Sequence, residues 1–235
     1  MIPRMAVPEE LAGVASRQAG VVSREQVRRV GVSDKVIERL VRSGQWRRLV
    51  SGVYAVSAES WEQWVWAGVL VGGGTSVVGL RAAAQLWGLA TPTDRRSATG
   101  GTAKAATTGV AKATAEMTGE GKATARAATG GVANPGAPTT WEPIEIYIGR
   151  DRRTPTVAGP WQFIRADRVG EGDPPRTSVA QTIVDLAATL NADQLASLVG
   201  QSLRRVRPSE VRAVLDQTRH HKQRRLLSEV LDDAS

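Results

Sequence analysis

Three cations stand at helical spacing early in the chain: Lys35, Arg39 and Arg42, at i, i+4 and i+7. Residues so spaced share one face of a helix. Arginine presents paired donors that match both phosphate oxygens and the guanine edge, so such a face suits duplex DNA. Ser33 opens the same segment and Glu38 stands between the cations, where both would meet base edges if the helix enters the major groove by its N-terminus. Arg24, Arg28 and Arg29 lie upstream, and Arg47 and Arg48 downstream; these are expected to neutralise phosphates. The expected DNA-binding set is Arg24, Arg28, Ser33, Lys35, Glu38, Arg39, Arg42, Arg47 and Arg48. The plainer alternative is a surface ion pair between Glu38 and Arg42, four residues apart.

Little else in the chain has the spacing of chemistry. His220 and His221 are the only histidines and cysteine is absent, so no triad, thiol nucleophile or zinc-finger pattern can be written. Two adjacent histidines on a basic helix project in different directions and are expected to be solvated. Asp167, Asp173 and Asp185 sit in unlike contexts, with Asp185 read as a surface or internally hydrogen-bonded residue rather than a base. Gly72-Gly73-Gly74 lacks the Gly-Lys-Ser/Thr ending of a phosphate loop and reads as a turn. The expectation is a protein that is not an enzyme, with no catalytic residue, cofactor or metal.

The elements that must position the cations can be read from their punctuation. Pro8-Glu9-Glu10-Leu11 starts a first helix, with Leu11, Val14 and Ala15 as its apolar stripe and Gly20 as its stop. Ser23 with Gln26 three residues on is a capping box, and Val22 with Val27 a hydrophobic staple, for a second helix that ends near Gly31. Ser33 caps a third, with Val36, Ile37, Leu40 and Val41 on its inner face and Gly44 at its end. Only Gly31-Val32 separates the second and third helices, the connection of a helix-turn-helix. Two short apolar runs around Ser51-Gly52 then read as a β-hairpin. Three helices and a hairpin are the order of a winged helix, over residues 1–57.

Beyond it, helices are expected over 61–70 and 79–89, with Trp61, Trp64 and Trp87 as packing residues. A half-buried strand is expected at 144–148 with a partner at 161–164, and Arg150, Arg152 and Arg153 crowd the loop between. Helices follow at 178–190, 193–206 and 210–218, then an amphipathic one through Leu226, Leu227, Val230 and Leu231. Residues 94–140, mostly Ala, Thr, Gly and Lys, are read as a disordered low-complexity insertion. The fold class is therefore α+β: a winged helix-turn-helix at residues 1–57, then a mixed α/β domain at 58–235 with a helical C-terminus.

The formal net charge is +8, and a basic balance favours an anionic partner. It is concentrated at the two ends. Residues 1–57 hold ten Arg and Lys against five Asp and Glu, and residues 201–225 hold eight against two. The second cluster, Arg204, Arg205, Arg207, Arg212, Lys222, Arg224 and Arg225, would extend a DNA contact or receive an acidic protein surface. No apolar run is long enough to span a bilayer, and Met1-Ile2-Pro3-Arg4 does not begin a signal peptide, so no membrane partner and a cytoplasmic location are expected.

Several stretches resemble one family. Residues 20–27 (GVVSREQV), Gly31-Val32-Ser33, Arg42-Ser43-Gly44, Trp46-Arg47-Arg48 and residues 52–56 (GVYAV) resemble the N-terminal domain of AbiEi-type antitoxins. These belong to type IV toxin–antitoxin systems common in actinobacteria. Residues 81–89 (RAAAQLWGL) are similar to the family's small-residue segment, and residues 177–186 (TSVAQTIVDL) to its later helix start. Many relatives have Ser-His where Gly79-Leu80 stands here, and Gln181 stands in place of a family Arg. Some relatives carry an added endonuclease-like domain that these residues lack, so no catalytic residue is carried over.

The resemblance implies a DNA-binding antitoxin that represses its own operon and counteracts a nucleotidyltransferase-like toxin. The partners it implies are double-stranded DNA, namely an inverted repeat in its own promoter, and a cognate toxin; paired half-sites add a homodimer to the expectations. The alternative is a protein-interaction module that neutralises a toxin, with DNA binding secondary.

Overall fold

A computed structural model describes residues 8–90, 142–218 and 221–234. All of them fall in one compact unit built from residues 1–91 and 134–235. The tract expected to be a disordered insertion, 94–140, lies outside the described residues, as does His220.

Start and stop signals place the first elements. Helix α1 (Glu9–Arg17) begins after Pro8, with two glutamates in its first turn where they meet the positive end of the helix dipole. Helix α2 (Arg24–Arg29) carries the expected capping box: Ser23 Oγ accepts from Gln26 N–H at 3.2 Å, and Gln26 Oε1 accepts from Ser23 N–H at 2.8 Å. Gly31, at φ +80°, makes the left-handed turn that lets the chain reverse into α3 (Asp34–Arg42). Ser33 precedes α3 as expected but caps it by backbone geometry alone, since its side chain makes no capping bond.

One element of the N-terminal region was not foreseen. Val21–Ser23 is a strand, β1, rather than only the approach to α2. It pairs antiparallel with β3 (Val53–Ala55), which in turn pairs with β2 (Arg47–Val50), giving sheet order β1-β3-β2. The hairpin turn at Ser51-Gly52 is short and tied down: Arg24 N–H donates to Gly52 O at 2.7 Å. The N-terminal fold is thus a winged helix-turn-helix with a minimal wing.

Strand alternation gives this sheet two apolar faces. On one, Val22 and Tyr54 join Leu11, Val27, Ile37, Leu40 and Trp46 as the core of the three-helix side. On the other, Val21, Leu49, Val50, Val53 and Ala55 pack against helix α4 (Trp61–Gly72), whose Trp64, Val65 and Ala67 are buried. Ser60 caps α4 by accepting from Gln63 N–H.

Helix α4 also covers a second sheet. A two-residue strand, β4 (Val77–Val78), sits between the Gly turn and α5 (Leu80–Leu86), a region read from sequence only as a connection between helices. It pairs antiparallel with β5 (Ile144–Ile148), and β5 pairs in parallel with β6 (Trp161–Arg165). Trp161 lies across α4, its indole N–H donating to Trp64 O at 2.7 Å. Gly79 admits no side chain here: an added Cβ would stand 2.1 Å from a ring carbon of Tyr147.

The C-terminal layer is helical: α6 (Val179–Ala187), α7 (Ala192–Ser202), α8 (Pro208–Gln217) and α9 (Arg224–Asp233). Ser178 caps α6, and Thr177 shares a buried hydroxyl contact with Thr182. Ile183, Leu186, Leu195, Leu198, Leu215, Leu227 and Leu231 make the core between these helices. The amphipathic last helix is therefore packed on its own domain through Leu227 and Leu231.

Candidate nucleic-acid interface

The chemistry of α3 follows from its two faces. Ile37 and Leu40 are buried, and Val36 and Val41 half-buried beside them. At about 100° per residue, Lys35, Glu38, Arg39 and Arg42 occupy about 100° of arc centred opposite those two anchors. All four are exposed. The inner face is buried, and the outward arc carries three cations and one anion. Glu38 and Arg42 form no ion pair among the described residues, so the plainer reading of that spacing is not realised.

The flanking residues differ in what they are committed to. Arg28 is exposed on α2. Arg29 is paired with Glu25 one turn back, at 2.5 Å. Arg24 is bound at two points by Asp34: Nη2 to Oδ2 at 2.6 Å and Nε to Oδ1 at 2.8 Å. Each stands at the first position of its helix, Arg24 on α2 and Asp34 on α3. A cation is misplaced at a helix N-terminus and a carboxylate well placed, so the pair offsets one unfavourable position with one favourable one. The hydrogen bond from Arg24 holds the Asp34 carboxyl below the ordinary carboxylate range, with Arg24 and Arg28 adding their charge. The same bond raises Arg24.

Arg47 and Arg48 part at the strand they share. Successive residues of a strand point to opposite faces, and β2 puts Arg48 on the helix-turn-helix face and Arg47 on the α4 face. Arg48 is exposed, its guanidinium 5.9 Å from the Tyr54 ring centroid. Arg47 donates to Gln63 Oε1 at 2.9 Å and pairs with Glu59 at 3.2 Å. Gln63 is fully buried and spends its amide N–H groups on Ser57 and Ala58. Arg47 therefore ties the wing to α4, while Lys35, Glu38, Arg39, Arg42 and Arg48, with Ser33 and Arg28, stand on the helix-turn-helix side.

The other basic groups are partly spent. Arg212 pairs with Asp232, Arg224 with Asp216 and Arg225 with Glu229. Arg204, Arg205, Arg207 and Lys222 are exposed. In the β5–β6 loop, Arg150 pairs with Asp167 at 3.5 Å, and Arg165 donates to Arg152 O.

One expectation about a single residue changes, and another is narrowed. His221 is not simply solvated: it is half-buried, with Nε2 2.8 Å from Val184 O. Asp185 takes the internal of its two readings. It receives hydrogen bonds from Tyr147, Arg168 and Gln181. Among the described residues no group of three or more His, Asp or Glu side chains could hold a metal ion, and no helix is long and apolar enough to cross a membrane.

Sequence reading missed the Arg24–Asp34 pair and the division of Arg47 from Arg48. The first left a weak signal, opposite charges opening two consecutive helices. The second was present in the period-two pattern of the hairpin.

Residues 9–57 match the family model described as "Transcriptional regulator, AbiEi antitoxin". The matched span is the winged helix-turn-helix from α1 through β3, so this part of the chain is similar to AbiEi antitoxin regulators, in line with the resemblance. No curated protein matches the chain by sequence.

Proposed function

We propose that the protein is a DNA-binding antitoxin that represses its own operon and counteracts a nucleotidyltransferase-like toxin, with α3 as the helix that enters the major groove. The observation that carries the DNA-binding half is the outward arc of α3. It is exposed, cationic and directly opposite the buried anchors Ile37 and Leu40. Lys35 and Glu38 lie nearest the N-terminus, the end that meets base edges in helix-turn-helix complexes. Arg39 and Arg42 reach a guanine edge or a phosphate, and Arg28 and Arg48 neutralise phosphates on either side. The antitoxin half rests on the family of residues 9–57.

Binding of the protein to its own upstream DNA and to a scrambled duplex, across a salt series, tests this reading. Tight binding to the native promoter alone, weakened by at least tenfold when Lys35, Arg39 and Arg42 are changed to alanine, is the expected result. Equal weak binding to both duplexes reduces the interaction to general basicity. No binding to either overturns the repressor and moves the weight to a toxin-binding protein. Co-expression with an adjacent nucleotidyltransferase-like gene tests the antitoxin half, with restored growth as the expected outcome.

A further inference from the structure

The Arg24–Asp34 pair lies where the two helices of the motif begin, and Arg24 occupies the position from which the N-terminus of α2 would meet a DNA phosphate. Both side chains are accessible, Arg24 at 52% and Asp34 at 41%, so solvent does not force them together. They are nevertheless bound at two points with good geometry, the form in which an arginine–carboxylate contact is strongest. No other described carboxylate bonds Arg24.

We infer that Asp34 is a specificity-determining residue: its carboxylate engages Arg24 in a neutral two-point pair, so that Arg24 gives no charge to the phosphates of arbitrary DNA. This rests on the proposed DNA-binding reading. Phosphate contacts attract every sequence equally, whereas base contacts discriminate. A cation at the start of α2 would add to the first kind alone. Asp34 occupies that cation, and α3 is left to bind by its outward arc. The device needs no movement and no ligand: it is a fixed cancellation of one charge beside the recognition helix. It accounts for an acidic residue at the first position of α3, on the end of the helix that would meet base edges.

The test compares the intact protein with Asp34→Asn, which keeps the shape of the side chain and a polar group at the start of α3 but removes its charge. The second variant is the double change Asp34→Asn with Arg24→Ala. The probes are a scrambled duplex and the native promoter duplex, each titrated between about 50 and about 200 mM salt. On the scrambled duplex the single variant is expected to bind more tightly at low salt and to lose about threefold more affinity across that range than the unmodified protein, the signature of one added phosphate contact. The double variant is expected to lose this extra salt dependence. Discrimination between promoter and scrambled duplexes falls in the single variant and recovers in the double.

An unchanged salt slope for Asp34→Asn overturns the inference. So does a loss of promoter affinity confined to one base pair with the slope unaltered, which would make Asp34 a direct reader of a base. Far-ultraviolet circular dichroism of each variant checks that α2 and α3 are formed. If Asp34→Asn proves unfolded, the same comparison is made with Asp34→Glu, whose longer carboxylate keeps the charge and is expected to keep the unmodified slope; a steeper slope there overturns the inference. Failure of the unmodified protein to bind either duplex removes the underlying reading instead, and is distinguished by needing no variant.

Discussion

The Tyr147 hydroxyl donates to Asp185 at 2.9 Å, joining the middle strand of the second sheet to helix α6. Arg168 reaches the same carboxylate through two nitrogens, at 2.8 and 3.3 Å, and Gln181 through a third donor at 2.9 Å. The Asp185 side chain is only 7% exposed. Its removal would leave Arg168 partly buried without a counter-charge. Asp185→Ala is expected to cost about 3 kcal/mol, the usual result of breaking a buried pair from one side. Tyr147→Phe leaves Asp185 its other donors and is expected to cost about 1 kcal/mol. Urea midpoints should rank the two variants in that order; the reverse ranking would mean that the tyrosine, not the ion pair, holds α6.

Arg47 is expected to matter to stability through Gln63. In Arg47→Ala the Oε1 of a fully buried amide loses its donor. An unsatisfied buried acceptor costs about 1–3 kcal/mol. The loss should be seen in the unfolding midpoint of the whole chain and be smaller when Gln63 is changed to Leu in the same molecule. Additive losses would refute the coupling.

Ser23 ends β1 and begins α2. Ser23→Ala removes half of a capping box and is expected to cost about 1 kcal/mol. Amide hydrogen exchange should show the loss first in Gln26, whose N–H is the one Ser23 accepts. Protection unchanged at Gln26 would contradict it.

Glu145 carries a pH dependence of definite sign. Burial raises its carboxyl above the ordinary value, and the N–H of Ala82, donating to Oε2 at 3.1 Å, opposes that only in part. The folded state thus holds the proton more tightly than the unfolded chain. This contribution to stability is complete below the ordinary glutamate range and is lost as pH rises through the raised folded value. Glu145→Gln keeps an acceptor for Ala82 and removes the charge. Its urea midpoint should equal that of the unmodified protein at about pH 4 and exceed it at about pH 7. A variant less stable at the higher pH would reverse the sign and refute the assignment.

Much of the winged helix-turn-helix was legible because its signals are local. The capping box at Ser23 and Gln26, the Gly31 turn and the Ile37–Leu40 stripe each act within a few residues, and each is found in place. What escaped was non-local. β1 is three residues long, and nothing within Val21–Ser23 shows that Val53–Ala55 will lie beside it. β4 is shorter still, and depends on Ile146 and Tyr147 far along the chain. Within the candidate site, the shared outward face of Lys35, Arg39 and Arg42 was legible from period alone. The partners of Arg24 and Arg47 were not, because charge spacing along a chain says nothing of which helix start or sheet face another residue will occupy. Asp185 was equally opaque: its donors come from β5, the loop after β6 and its own helix.

The three-stranded sheet of the wing carries apolar packing on both faces. The helix-turn-helix rests on one surface of it and α4 on the other, so the matched segment has a greasy underside of Val21, Leu49, Val50, Val53 and Ala55. A fragment ending at residue 57 would bare that underside to water and is expected to aggregate or to self-associate through it. Extending the fragment to residue 72 would restore the cover. The winged helix-turn-helix, in this chain, is upholstered by its neighbour rather than hinged to it, and the smallest portion worth expressing alone includes α4.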